Sequence, residues 1–210
     1  VWIEDIQIYP NIKAKTAKIK VSISNNTGKT ASGVLSLHVE KYPLIKRPDI
    51  ATNKINFSIT KSRQIVEINM SLGKRVNLWD EFLPHRYCKL NAAIFGDDFK
   101  DFKTIKFGMR EFKAEGTQFT INGRKTFLRG TLECAIFPLT GYPPMDVKSW
   151  ERILQVAKGH GLNHLRFHSW CPPEAAFAAA DRVGIYFHVE CASWANQGSS
   201  LGDGKPVDQY

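Results

Sequence analysis

Along the first 110 or so residues, hydrophobic and polar positions alternate with period two. Ala17, Ile19, Val21 and Ile23 are separated by Lys18, Lys20 and Ser22, and Leu35, Leu37 and Val39 by Ser36 and His38. Ile55, Phe57 and Ile59 follow the same rule, as do Val66, Ile68 and Met70, then Cys88, Leu90, Ala92 and Ile94. Successive side chains of an extended chain point to opposite faces, so each run predicts a strand with one buried face. Turn-forming stretches, Asn25-Asn26-Thr27-Gly28 and Gly96-Asp97-Asp98, separate several of the runs. About seven short antiparallel strands in about 110 residues form an immunoglobulin-like sandwich pattern.

After Gly116 the period changes. Phe119 to Leu128 reads as a hairpin, with Asn122-Gly123 supplying the positive φ angles of a tight turn. A strand leads into Arg129-Gly130-Thr131. Asp146 is an N-cap, and Val147, Trp150, Ile153, Leu154 and Ala157 repeat at helical spacing until Gly159 and Gly161. Leu162 to Phe167 is a second strand. Pro172-Pro173-Glu174 opens a second helix that Gly184 closes, and Ile185 to Val189 is a third strand. This βαβαβ order demands a parallel sheet, in which function collects at the carboxyl ends of the strands. Those ends carry Glu133, then His168-Ser169-Trp170, then Glu190 with Trp194.

Composition narrows the class. A chain of 210 residues, 43% hydrophobic and 23% charged, is a folded one, not disordered or collagen-like. No stretch approaches the roughly 18 uninterrupted apolar residues of a membrane span. The opening Val1-Trp2-Ile3-Glu4-Asp5 has neither a basic region nor an initiator Met, so a mature or excised piece is expected. A periplasmic or secreted parent fits, although the compartment is not assigned. The formal net charge is +9, with the basic excess in the first 112 residues. There Lys13, Lys15, Lys18 and Lys20 are interleaved with Ile12, Ala14, Ala17 and Ile19 rather than with stacking aromatics, the solvated face of a half-buried strand. No nucleic-acid partner and no membrane partner is expected.

Candidate metal and thiol chemistry finds little support in spacing. Cys88, Cys134, Cys171 and Cys191 contain no C-x-x-C pair, which argues against a zinc ribbon or a disulfide scaffold. Each is read as a small buried hydrophobe. His160, His164 and His168 are four apart like ligands on a helix face, but Gly161 and Asn163 interrupt a helix, and a strand would separate residues four apart by roughly 13 Å. No metal and no cofactor is expected.

Five motifs in order carry a resemblance. Trp79-Asp80-Glu81-Phe82-Leu83-Pro84, Phe107-Gly108-Met109-Arg110-Glu111-Phe112, Asn122-Gly123 with Leu128-Arg129-Gly130-Thr131, Gly161-Leu162-Asn163-His164-Leu165-Arg166, and Ala180-Asp181-Arg182-Val183-Gly184-Ile185-Tyr186 resemble glycoside hydrolase family 2, the beta-galactosidase and beta-glucuronidase superfamily. The resemblance covers nearly the whole chain. It implies a multidomain β plus α/β fold: an immunoglobulin-like β-sandwich over residues 1–112, then the first three βα units of a (β/α)8 TIM barrel over 113–210, truncated. It further implies that the parent is a hydrolase of O-glycosidic bonds, a retaining beta-glycosidase acting on a carbohydrate substrate, such as a beta-galactosidase or beta-glucuronidase. In family members the acid/base Glu follows the fourth barrel strand and the nucleophilic Glu the seventh. Neither position exists here, so no catalytic residue is assigned and the 210-residue chain alone is expected to be inactive.

Two departures stand out. Relatives read Arg-x-Ser-His-Tyr-Pro after the second barrel strand, whereas this chain reads Arg166-Phe167-His168-Ser169-Trp170-Cys171-Pro172, with the His displaced by one residue. The third strand ends Val189-Glu190-Cys191 rather than Asp-Glu.

The substrate-binding candidates are Glu133, Arg166, His168, Trp170, Glu190 and Trp194. Arg166 also has a structural reading, a buried arginine paired with Glu133 or Glu190, and the two tryptophans suit either a sugar face or the core. A rival reading makes Glu133 and Glu190 a catalytic pair, since glycosidases use two carboxylates about 5–9.5 Å apart. A non-enzyme reading makes the chain a carbohydrate-binding or spacer module. Three strands of an open barrel would expose two edges and leave Phe167, Phe187 and Val189 with few partners, so self-association, docking of these strands against the sandwich, or disorder beyond about Trp194 is expected.

Overall fold

Strands β1 (Trp2–Asn11), β2 (Thr16–Ser24), β3 (Ala31–Lys41), β4 (Ala51–Ile59), β5 (Arg63–Ser71), β6 (Cys88–Phe95) and β7 (Lys100–Phe107) account for the alternating half of the sequence. The computed structural model describes residues 1–43, 51–192, 200 and 202–204. Trp194, one of the expected sugar contacts, lies outside the described residues. The chain divides into two units, Val1–Phe127 and Leu128–Tyr210.

In the first unit the strands form two antiparallel sheets, ordered β1-β2-β5 and β4-β3-β6-β7. The fourth strand pairs with the third rather than joining the first sheet. The inward positions named by the period are the core: Ile19 and Ile23 of one sheet and Leu35, Leu37, Leu90 and Ile94 of the other are fully buried. Each such side chain contributes roughly 1.5–3 kcal/mol relative to exposure. Lys18 and Lys20 stand on the outer face of β2 and both pair with Glu67, at 2.6 and 2.8 Å. The register of β1 slips between Ile3 and Asp5. There β7 covers the exposed backbone with side chains: the Ile3 amide donates to Asp101 Oδ2 (2.8 Å), and Lys103 Nζ donates to the Glu4 carbonyl (2.8 Å). Unpaired edge groups are thereby satisfied without a further strand.

A three-stranded meander follows, β8 (Phe112–Glu115), β9 (Gln118–Ile121) and β10 (Arg124–Thr126). Its tight turn has φ of 53° at Asn122 and 76° at Gly123, as the sequence predicts. Asn122 also ties the meander into the first unit. Its amide donates to the Glu111 carbonyl (2.8 Å), its side-chain oxygen accepts from the Glu111 amide (2.9 Å), and its side-chain nitrogen donates to the Trp79 carbonyl (3.0 Å).

The second unit is a βαβαβ arrangement. β11 (Gly130–Glu133), β12 (His164–Phe167) and β13 (Tyr186–Val189) are parallel neighbours in that order, with α1 (Val147–Gly159) and α2 (Glu174–Val183) in the two crossovers. Asp146 caps α1 by accepting from the Ser149 amide (2.9 Å), and Gly184, in the left-handed region at φ 81°, ends α2. Trp150 and Leu154 of α1 and Ala176, Ala179 and Ala180 of α2 are buried together with Leu165 and Phe167 of β12.

This packing corrects one expectation. Phe167 is fully buried, with ring centroids 4.7 Å from Phe187, 5.3 Å from Trp170 and 6.1 Å from Trp150, and Val189 packs on the same cluster. These residues face the helices. The opposite, solvent-exposed face of the sheet carries Leu132, Arg166 and His188, which share one register row. Alternation within a strand fixes that two faces exist but not which one the helices cover. Among the described residues, no helix is long and apolar enough to cross a membrane.

Candidate functional site

Glu133, Phe167 and Val189 are register partners at the carboxyl ends of the three parallel strands. The residues after them therefore emerge along one edge of the sheet: Cys134 and Ala135, His168 to Trp170, and Glu190 with Cys191. The chain bends sharply at two of these exits, with φ of 57° at Ala135 and 59° at Ser169. Both bends aim backbone amides at carboxylates. The Ala135 amide donates to both oxygens of Glu133 at 3.1 Å, and the Ser169 amide donates to Glu190 Oε2 at 2.8 Å.

Arg166 settles on Glu190 rather than Glu133. Its Nε and Nη2 both lie 2.5 Å from Glu190 Oε1, and its guanidinium remains about half exposed. The Ser169 amide holds the Glu190 carboxyl below the usual carboxylate range, with the Arg166 guanidinium and the charge of His168 adding to it and partial burial opposing. Glu133 is shifted the other way: burial raises its pKa, and the hydrogen bond from Ala135 only partly offsets that. Two carboxylates at the ends of the outer strands β11 and β13 thus have environments that drive their proton affinities apart.

Trp170 is half-buried, edge-on to Phe167 at 5.3 Å, and its indole N–H donates to the Glu133 carbonyl at 3.3 Å. The Glu133 carbonyl also accepts from the His168 amide (2.9 Å), continuing the parallel ladder one residue past β12. The imidazole of His168 has Nδ1 3.9 Å from the sulfur of Cys134. His164 does not join His168. Its ring lies 6.1 Å from that of His188 on β13, and burial, with His188 second, lowers its pKa. Among the described residues, no three His, Cys, Asp or Glu side chains are grouped as a metal site.

The reading of the cysteines as buried hydrophobes holds for Cys88, whose thiol burial pushes up to about 11. It is wrong for Cys134, Cys171 and Cys191, which are exposed. All three fall just after strands of the parallel sheet, where the chain leaves the core. Their distance from the last hydrophobic strand position was the available signal. The same signal points to Ser169, whose backbone contact with Glu190 no motif suggested.

No family model matches the sequence. A beta-galactosidase from Thermoanaerobacterium thermosulfurigenes is 25% identical over 193 residues, covering 90% of this chain and 24% of that enzyme. Among solved structures, a glycosyl hydrolase family 2 member from Bacteroides cellulosilyticus superposes with a TM-score of 0.78 at 21% identity, over 96% of this chain and 26% of that one. A Bacteroides uniformis beta-glucuronidase gives 0.75 at 17% identity, over 92% and 23%. A beta-galacturonidase of the same family from Eisenbergiella tayi, bound to galacturonate, gives 0.76 at 17%, over 91% and 33%. The chain is similar to glycoside hydrolase family 2 proteins across nearly its whole length, and it spans about a quarter to a third of the length of these relatives.

Proposed function

We propose that this chain is the part of a family 2 glycoside hydrolase that joins an immunoglobulin-like sandwich to the opening of a (β/α)8 barrel, and that it supplies sugar contacts rather than the catalytic carboxylates. The observation that carries this reading is the row of strand ends in a parallel βαβαβ unit, where Arg166, Glu190 and the Ser169 amide form a fixed polar cluster. Carboxyl ends of parallel strands are where barrel enzymes hold substrate. Arg166 has donors left over after engaging Glu190, and these suit hydroxyl or carboxylate groups of a sugar. Glu133, His168 and Trp170 border the cluster, and we retain Trp194, outside the described residues, as a stacking candidate. The carbohydrate is a beta-linked galactoside or glucuronide, the classes named by the similar enzymes. The acid/base and nucleophilic glutamates, which the resemblance puts after later strands, are not among these residues.

One observation favours a second reading. Glu133, with its raised proton affinity, and Glu190, with its lowered one, have the opposed environments of a glycosidase acid and its partner carboxylate. A single assay separates the two. The purified 210-residue chain should show no turnover of aryl beta-galactosides or beta-glucuronides, because positioned acid/base groups alone supply roughly 10²–10⁴-fold in rate. Turnover that disappears in both Glu133→Gln and Glu190→Gln would overturn the first reading and establish the second.

A further inference from the structure

Two neighbouring strand ends contribute a nucleophile and a base that the sugar-binding reading does not use together. Cys134, directly after β11, is exposed. Its sulfur lies 3.9 Å from Nδ1 of His168, directly after β12. A nucleophile beside a base is the arrangement that activates thiols and hydroxyls toward electrophiles.

We propose that Cys134 is a site of covalent modification by conjugated electrophiles, such as α,β-unsaturated carbonyl compounds, with His168 as the proton acceptor. The sulfur attacks the β-carbon of the alkene while the thiol proton passes to Nδ1. The π pair moves toward the α-carbon, which then takes a proton back from the imidazolium. One S–C bond and one C–H bond form, the S–H bond and the alkene π bond are lost, and no oxidant or leaving group is required.

The other cysteines provide internal standards. Cys171 and Cys191 are also exposed, but Cys171 directs its thiol to the Pro172 carbonyl (3.6 Å), and among the described residues neither has an imidazole partner. Cys88 is buried and, with its pKa near 11, stays a thiol at neutral pH.

The test treats the full chain at pH 7 with limiting N-ethylmaleimide and reads each cysteine by peptide mass spectrometry over time. Cys134 should be labelled about tenfold faster than Cys171 and Cys191, a modest share of the roughly 10²–10⁴-fold that a positioned base can give. In His168→Asn its rate should fall to theirs while the other two stay unchanged. Equal rates at the three exposed cysteines of the unaltered chain would overturn the proposal, as would a Cys134 rate indifferent to His168→Asn. If the second unit unfolds in that variant, which rapid proteolysis within α1 and α2 would reveal, the ratio in the unaltered chain decides. No glycoside enters the experiment, so its result is independent of the glycosidase reading.

Discussion

Glu133, at the end of β11, and Glu190, just after β13, flank β12 in the same small sheet, yet their surroundings act on them in opposite directions. For Glu190, donors from Ser169 and Arg166 favour the charged form. Its folded pKa lies below the unfolded one, so its contribution to stability is present above the unfolded value and is lost as pH falls through the folded one. For Glu133, burial favours the neutral form. Its contribution is greatest at low pH and is lost as pH rises from the unfolded value through the raised folded one. Glu190→Gln should therefore lower the urea midpoint at pH 7, with the deficit shrinking toward pH 3. Glu133→Gln should raise the midpoint at pH 7, with the gain vanishing below the ordinary glutamate range. Gln can still accept from the Ala135 amide, so the second change isolates charge from hydrogen bonding. Urea titrations across pH 3–8 read both, and a drop in the pH 7 midpoint of Glu133→Gln would show that its charge is welcome where it sits.

The elements were legible wherever local chemistry and burial agreed. β6, β3 from Leu35 onward and β2 as far as Val21 alternate buried and less buried positions because one face of each meets the opposing sheet. β1 was not individually readable, since the slip between Ile3 and Asp5 breaks its period. β7 lies at a sheet edge, and its lysines and phenylalanines are partly exposed on both faces. Both helix ends of interest were written in the sequence, Asp146 as a cap and Gly184 as a left-handed stop. The strand ends of the candidate site could be located but not wired: nothing in the order of residues says that Arg166 chooses Glu190 or that Ser169 turns its amide there. Those choices depend on positive φ at non-glycine residues, which tertiary context imposes. The cap gives an element-scale prediction. Asp146→Ala leaves the Ser149 amide without its acceptor at the start of α1, and should lower the denaturation midpoint of the second unit, measured by chemical denaturation. A variant indistinguishable from the parent would mean that α1 is held by the burial of Trp150 and Leu154 alone.

At the scale of the whole chain, unsatisfied backbone groups and exposed apolar surface decide where the sandwich stops and which part associates. Residues 1–112 were the expected domain, but the meander up to Phe127 shares hydrogen bonds with the first unit through Asn122 and buries Thr120 and Ile121. Cutting at 112 removes Asn122 and leaves the Trp79 carbonyl and both backbone groups of Glu111 without those partners, at a cost of roughly 1–3 kcal/mol for each group that stays buried. A chain of residues 1–127 should therefore unfold cooperatively and at a higher urea concentration than one of residues 1–112. The second unit presents the opposite problem. Among the described residues β11 and β13 are the edges of its sheet, and Ile136, Leu139 and Val156 line an apolar groove of about 560 Å³ while each remains more than half exposed. Unpaired edges and uncovered apolar surface favour association with another chain. Sedimentation velocity should find residues 1–127 monomeric at every concentration and the 210-residue chain associating as concentration rises. Association of the 1–127 chain to the same extent would move the sticky surface to the sandwich, where Phe82 and Phe102 are the exposed aromatics to examine.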